Sequence, residues 1–184
     1  MTDLNDHIGL YHTHGLWVPD RRIYLQVGDD ESLDHTTAAA LIKNIHILES
    51  QDKTPITVVI NCPGGSEIDA YGIYDVIAGS DCRMVGVVVG EASSAATIVL
   101  QAFDHRKAYR NTYFLLHDGS NSVSGSQRDV ERQVDAAREW RLKYYHLLGA
   151  KTHHDSAWWS RKLQHDFILN AGTALSTGLI DEII

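Results

Sequence analysis

The sequence predicts an α/β fold of repeated βαβ units carrying one long protruding helix. Three observations lead there. Short apolar, β-branched runs alternate with segments whose apolar residues recur at helical spacing. Each run is followed by glycine or by a turn-forming cluster, as strand-to-helix crossovers of a parallel sheet require. One stretch, 126–150, runs about 25 residues without glycine or proline before Gly149, far above the average helix of about 11 residues.

The elements follow in chain order. MTDLNDHIGL (1–10) reads as a short mobile terminus, without the basic start of a signal peptide. RRIYLQV (21–27) reads as a strand. In 32–50, Ala38, Leu41, Ile42, Ile45 and Leu48 share one helical face, with Asp34 as the candidate cap. PITVVIN (55–61) is a strand-length apolar run, PGGS breaks it, and 67–80 returns to helical spacing. RMVGVVV (83–89) is a buried strand that Gly90 is expected to end, so that 90–101 opens the next helix. TYFLLH (112–117) is a further strand.

In 126–150, Val130, Val134, Ala137, Tyr144 and Leu148 fall on one face, and Asp129/Arg132 and Glu131/Arg138 are candidate surface pairs. The segment reads either as a core helix with a solvated face or as an arm that packs on another subunit. Its length favours the arm.

The whole chain, 184 residues, fits one domain with a real core. Its 43% hydrophobic and 22% charged residues are ordinarily globular. A formal charge of −8 with no Lys/Arg block argues against nucleic acid. Cys62 and Cys82 lie in or beside apolar runs with no metal-binding spacing, and read as reduced core residues of a cytoplasmic protein. No apolar stretch reaches 18 residues, so no membrane span is expected.

Chemistry gathers at the turns. NCPGG follows the strand 55–61, and backbone amides in such a turn can face an oxyanion. Ser93 and Ser94 sit where strand meets helix, as caps or as a nucleophile with the Ala95 amide beside it. A nucleophilic serine needs a base and an orienting acid. His117 ends the strand 112–116, where the carboxyl edge of a parallel sheet gathers ligand groups, and Asp166 lies in LQHDFIL. Each has a structural alternative: a capping serine, one histidine among 11, an aspartate capping the turn that follows.

Taken together, four segments resemble the proteolytic subunit of the Clp protease, a serine peptidase of the ClpP/crotonase fold. INCPGGSEIDAYGIYDVI (60–77) resembles that family's glycine turn and VVVGEASSAATIVLQA (87–102) its nucleophile helix. LLHDGSNSVSGSQRDVE (115–131) resembles its histidine segment and the start of its long handle helix, and HDFILNAGTALSTGLIDEII (165–184) its terminal segment. The resemblance spans about residues 8–184. It implies Ser94 as nucleophile, His117 as base and Asp166 as acid, with Asp118 and Asp155 the neighbouring carboxylates, and Gly65 and Ala95 as oxyanion donors. It also implies a handle at 126–150, a homo-oligomeric heptamer stacked as a tetradecamer, and a peptide or unfolded protein as substrate. No metal or organic cofactor is needed.

Departures from the family pattern are Ser94-Ala95-Ala96, His117-Asp118-Gly119 and a shorter N-terminal segment. The last puts coupling to a AAA+ unfoldase in doubt, so an ATP-independent peptidase core is expected. Trp158-Trp159 read as core, or as the lining of an apolar contact or groove. Two other readings stand beside the peptidase: a catalytically silent ring subunit, and a crotonase-like acyl-CoA enzyme.

Overall fold

Strand β3 (Ile56–Cys62) alternates fully buried and half-buried residues along its whole length. Ile56, Val58, Ile60 and Cys62 point into the core at 0% exposure, while Thr57, Val59 and Asn61 face the other way. The parallel strand β4 (Met84–Ser93) repeats this pattern, with Val85 and Val87 half-buried and Val89 exposed. The sheet is therefore covered on one face only.

The computed structural model describes residues 4–28, 32–120 and 122–184. Among them, eight strands form one sheet in the order β1-β2-β3-β4-β5-β8, with β6 branching from β4 and β7 pairing β6. β2 is Arg22–Gln26, β5 His105–Ala108, β6 Tyr113–Leu116 and β8 Glu182–Ile183. β2 through β5 run parallel, as the crossovers predict. Two pairs are antiparallel instead: β1 (Leu16–Trp17) with β2, and β6 with β7 (Phe167–Asn170). Helices α2 (His35–Glu49), α3 (Glu67–Ala78) and α4 (Ala95–Leu100) complete the crossovers. Asp34 caps α2 as expected, accepting from the Thr37 amide at 2.8 Å.

Three expectations are corrected. Of the expected mobile terminus, residues 1–3 lie outside the described residues, and Leu4–His14 form a helix, α1. Tyr11 anchors it edge-on to Tyr24 at 4.9 Å and to Trp17 at 6.3 Å. Gly90 does not end β4. The strand bends there, where the Glu91 amide donates to Asn61 Oδ1, and then continues to Ser93 by exchanging its neighbour β5 for β6. Glu131 does not pair with Arg138 but accepts from Gln127, whereas the Asp129–Arg132 pair forms.

The long helix is α5 (Gln127–Lys151), capped by Ser126. Its apolar stripe divides. Tyr144, Tyr145 and Leu148 are buried in the core, whereas Val134 is 52% exposed and Leu142 44%. Helix α6 (Ser156–Lys162) then packs on α5. Trp159 is a core residue whose indole donates to Thr152 Oγ1 at 2.7 Å, and half-buried Trp158 stacks on His154 at 3.8 Å. Helix α7 (Ala171–Thr177) leads to β8.

Candidate active site

The sheet delivers Ser94 to the surface by a single-residue turn. Register with β6 runs from Glu91↔Tyr113 to Ser93↔Leu115, and the Ser94 amide donates to the Leu115 carbonyl at 2.7 Å. Ser94 itself has φ +51° and ψ −125°. A side chain in such a conformation costs on the order of 1–3 kcal/mol, so the surrounding packing has to impose it. α4, buried along its whole length, supplies that packing. The reading of Ser94 as a side-chain cap fails, because its hydroxyl makes no capping bond. Ser93 is buried, and its hydroxyl donates to Glu91 Oε2 at 2.9 Å.

The Ser94 hydroxyl instead meets His117, whose Nε2 lies 2.8 Å from Oγ. His117 follows the last residue of β6. The antiparallel register Leu116↔Phe167 makes His117 and Asp166 the next facing positions. His117 Nδ1 and Asp166 Oδ1 stand 3.7 Å apart, beyond an ordinary hydrogen bond. The Asp166 side chain is 67% exposed against 28% for His117. The two neighbouring carboxylates are engaged elsewhere. Asp155 caps α6 by accepting from the Trp158 amide at 2.7 Å, and Asp118 accepts from the Tyr145 hydroxyl at 2.5 Å with Arg141 at 4.0 Å.

The glycine turn lies against the same point. Leu33 staples it from both sides: the Leu33 amide donates to the Gly64 carbonyl at 2.7 Å, and the Ser66 amide donates to the Leu33 carbonyl at 2.8 Å. Gly64 and Gly65 have φ +97° and +149°. A Cβ on Gly64 would sit 2.6–2.9 Å from Ser93 O, Ser94 Cβ and Ala95 N, so only glycine allows this approach. Neither the Gly65 nor the Ala95 amide donates to a group among the described residues, and both remain available to a ligand. Cys62, just before the turn, is no rival nucleophile, since burial pushes its thiol up to about 11.

Sequence reasoning missed the links to α5. Thr97 Oγ1 donates to the Ser94 carbonyl at 2.6 Å and lies 2.5 Å from Tyr144 Oη. With its one proton committed there, Thr97 accepts from Tyr144, whose phenol burial keeps protonated. Helix α5 thus touches the turn at Ser94 through Tyr144 and the residue after His117 through Tyr145. These partners are 47 and 27 positions apart, and no local pattern signals them.

Beside Ser94 and His117 opens a cleft of about 580 Å³, lined also by Gly65, Glu67, Ala137 and Trp140. Glu67 was missed as well. It stands two residues beyond Gly65, at the first turn of α3. Burial raises its carboxyl, and the nearby His117 opposes that shift.

Comparison with known proteins gives the family of the chain. The chain is 28% identical over 169 residues to ATP-dependent Clp protease proteolytic subunit 2 of Pseudomonas aeruginosa, covering 89% of this chain and 81% of that protein. It is 33% identical over 174 residues to ATP-dependent Clp protease proteolytic subunit 1 of Tropheryma whipplei, covering 90% and 80%. A ClpP1 mutant from Listeria monocytogenes shares the fold at a TM-score of 0.83 and 22% identity, over 91% of this chain and 92% of that one. The model of the Clp protease family matches residues 15–184. From the glycine that follows α1 to its last residue, the chain therefore belongs to the Clp protease family, and it is a peptidase of that family.

Proposed function

We propose that this peptidase is a serine endopeptidase that works inside a ring of its own copies. The observation that carries the reading is the 2.8 Å contact between His117 Nε2 and the hydroxyl of a serine held at φ +51°. Ser94 attacks a peptide carbonyl while His117 accepts its proton. Asp166 orients the imidazole and stabilises its charged form. The Gly65 and Ala95 amides receive the oxyanion, and His117 returns the proton to the leaving amine. Water, activated by His117, then releases the acyl group from Ser94. The hydrolytic step consumes no nucleotide.

Two features support the assembly. Parallel sheets are rarely left bare on one face, yet Val85, Val87 and Val89 look outward here. Along α5, Val134 and Leu142 are also about half exposed in the single chain. We propose a heptameric ring, paired with a second through the handles into a tetradecamer, with peptides or unfolded chains as substrate. We propose that peptides enter without a AAA+ unfoldase. The free thiols at Cys62 and Cys82 suit a reducing compartment, and we place the assembly in the cytoplasm.

The test is a fluorophosphonate probe followed by peptide mapping, alongside a peptide-hydrolysis assay. The label is expected on Ser94. Ser94→Ala should abolish labelling and lower kcat by roughly 10⁶-fold. Ser93→Ala should keep measurable activity, because that hydroxyl donates to Glu91 and faces no substrate. An active Ser94→Ala protein would sink the reading.

A further inference from the structure

We propose that Glu67 makes the cleft selective for a cationic side chain, a lysine or arginine of the substrate next to the bond that is cut. The inference rests on the peptidase reading and adds a substrate class to it.

Four observations carry it. The first is position. Glu67 lines the same cleft as Ser94 and His117, two residues beyond the Gly65 amide, so a peptide seated on that amide passes its carboxylate. The position a Cβ on Gly119 would take is 4.0 Å from Glu67 Oε1, which puts the carboxylate at the mouth between the α3 and His117 sides.

The second is an unmet charge. Glu67 is half-buried, yet among the described residues its carboxylate makes no hydrogen bond or ion pair, and His117 is the one positive charge that acts on it. Its place in the first turn of α3, at the positive end of the helix dipole, works against the burial that raises its carboxyl. A half-buried carboxylate without a partner is a poor structural element and a good receptor for an ammonium or guanidinium.

The third is the wall. Ala136, Ala137 and Trp140 line the side contributed by α5. Lysine and arginine carry an apolar stem and a charged tip, and such a wall covers the stem while the carboxylate meets the tip. Lys143 Nζ lies 3.8 Å from the Tyr71 centroid and 4.9 Å from that of Trp140, so that ring face is already taken by a cation of the chain itself. Lys143 is held by those rings and forms no ion pair with Glu67.

The fourth is the field. At a net charge of −8 the chain as a whole attracts basic peptides.

The test uses the assembled protein and peptides that differ only at the residue before the cleaved bond: lysine, arginine, leucine or glutamate. Wild type should favour lysine and arginine over glutamate in kcat/KM by about tenfold or more. Glu67→Gln, nearly isosteric, should lose about tenfold on lysine and arginine while leucine stays within about threefold. Glu67→Lys should turn the preference toward glutamate. The readout must be the preference and not the rate alone, because Glu67 also lies near His117. An equal loss on all four peptides would mean that Glu67 acts on the base, and would overturn the inference. So would a wild type without preference for cations. If no peptide is cut and Ser94 takes no fluorophosphonate, the peptidase reading itself fails. Labelled Ser94 with a flat peptide profile removes only the role of Glu67.

Discussion

The two ring nitrogens of His117 face differently built surroundings. Toward Ser94 the contact is 2.8 Å, and what stands behind it is buried: Ala92 and Ser93 at the end of β4, α4, and the side chains of Thr97 and Tyr144. Toward Asp166 the gap is 3.7 Å, the carboxylate is two-thirds exposed, and the chain beyond His117 leads into the bare half of α5. The difference teaches where each distance is set. Packing within this chain fixes the approach of serine and base. The approach of base and acid is decided at a surface, where a neighbouring subunit of the proposed ring can adjust it.

The sharpest test of the looser flank is Asp166→Asn. If that carboxylate orients His117 during turnover, kcat should fall by roughly 10³- to 10⁴-fold, as in other triads. Asp155→Asn should leave steady-state rate and melting temperature near wild type, because asparagine caps a helix about as well as aspartate. Equal rates in the two variants would erase the contrast between the flanks.

A smaller effect is expected from α5. Val134→Glu puts a charge on the exposed stripe, 52% accessible in the single chain. Light scattering should show double rings giving way to single ones. Activity should fall by about tenfold, the work of little more than ~1 kcal/mol on the barrier, because only the looser flank would lose its support. Full activity in particles of half the mass would show that the handles set assembly alone.

The smallest rate effect should come from the tight flank. Thr97→Val removes the hydroxyl between the Ser94 carbonyl and Tyr144. Leaving those buried groups unpaired should cost about 1–3 kcal/mol in stability, read from the denaturation midpoint. The rate should change only a few-fold, since the Ser94 amide stays bonded to Leu115. A loss as large as that of Asp166→Asn would mean the turn depends on this one chain of hydroxyls.

Much of this was legible in the sequence, for local reasons. The runs 21–27, 55–61 and 112–117 became β2, β3 and β6 to within a residue or two at each end, because their period and punctuation are local signals. Ser94 and His117 could be singled out because both follow strands. The continuation of β4 past Gly90 could not be read, since it depends on β6, a neighbour about twenty residues away in sequence. α1 was missed because what orders it is the aromatic contact with Tyr24, not its own apolar pattern. The spacing of His117 and Asp166 was beyond reach for the same reason: the β6–β7 register brings them opposite, and no motif encodes how far apart they stand.

The backbone at Ser94 has a consequence for how this chain can change over generations. Glycine adopts a positive φ at almost no cost, whereas any other residue there gives up part of a stability that is small to begin with. Random substitution therefore presses this position toward glycine, and a protein with no use for the hydroxyl would gain by yielding. Serine at φ +51° bears that cost. The silent ring subunit, considered from the sequence as an alternative, is the case in which nothing would hold it.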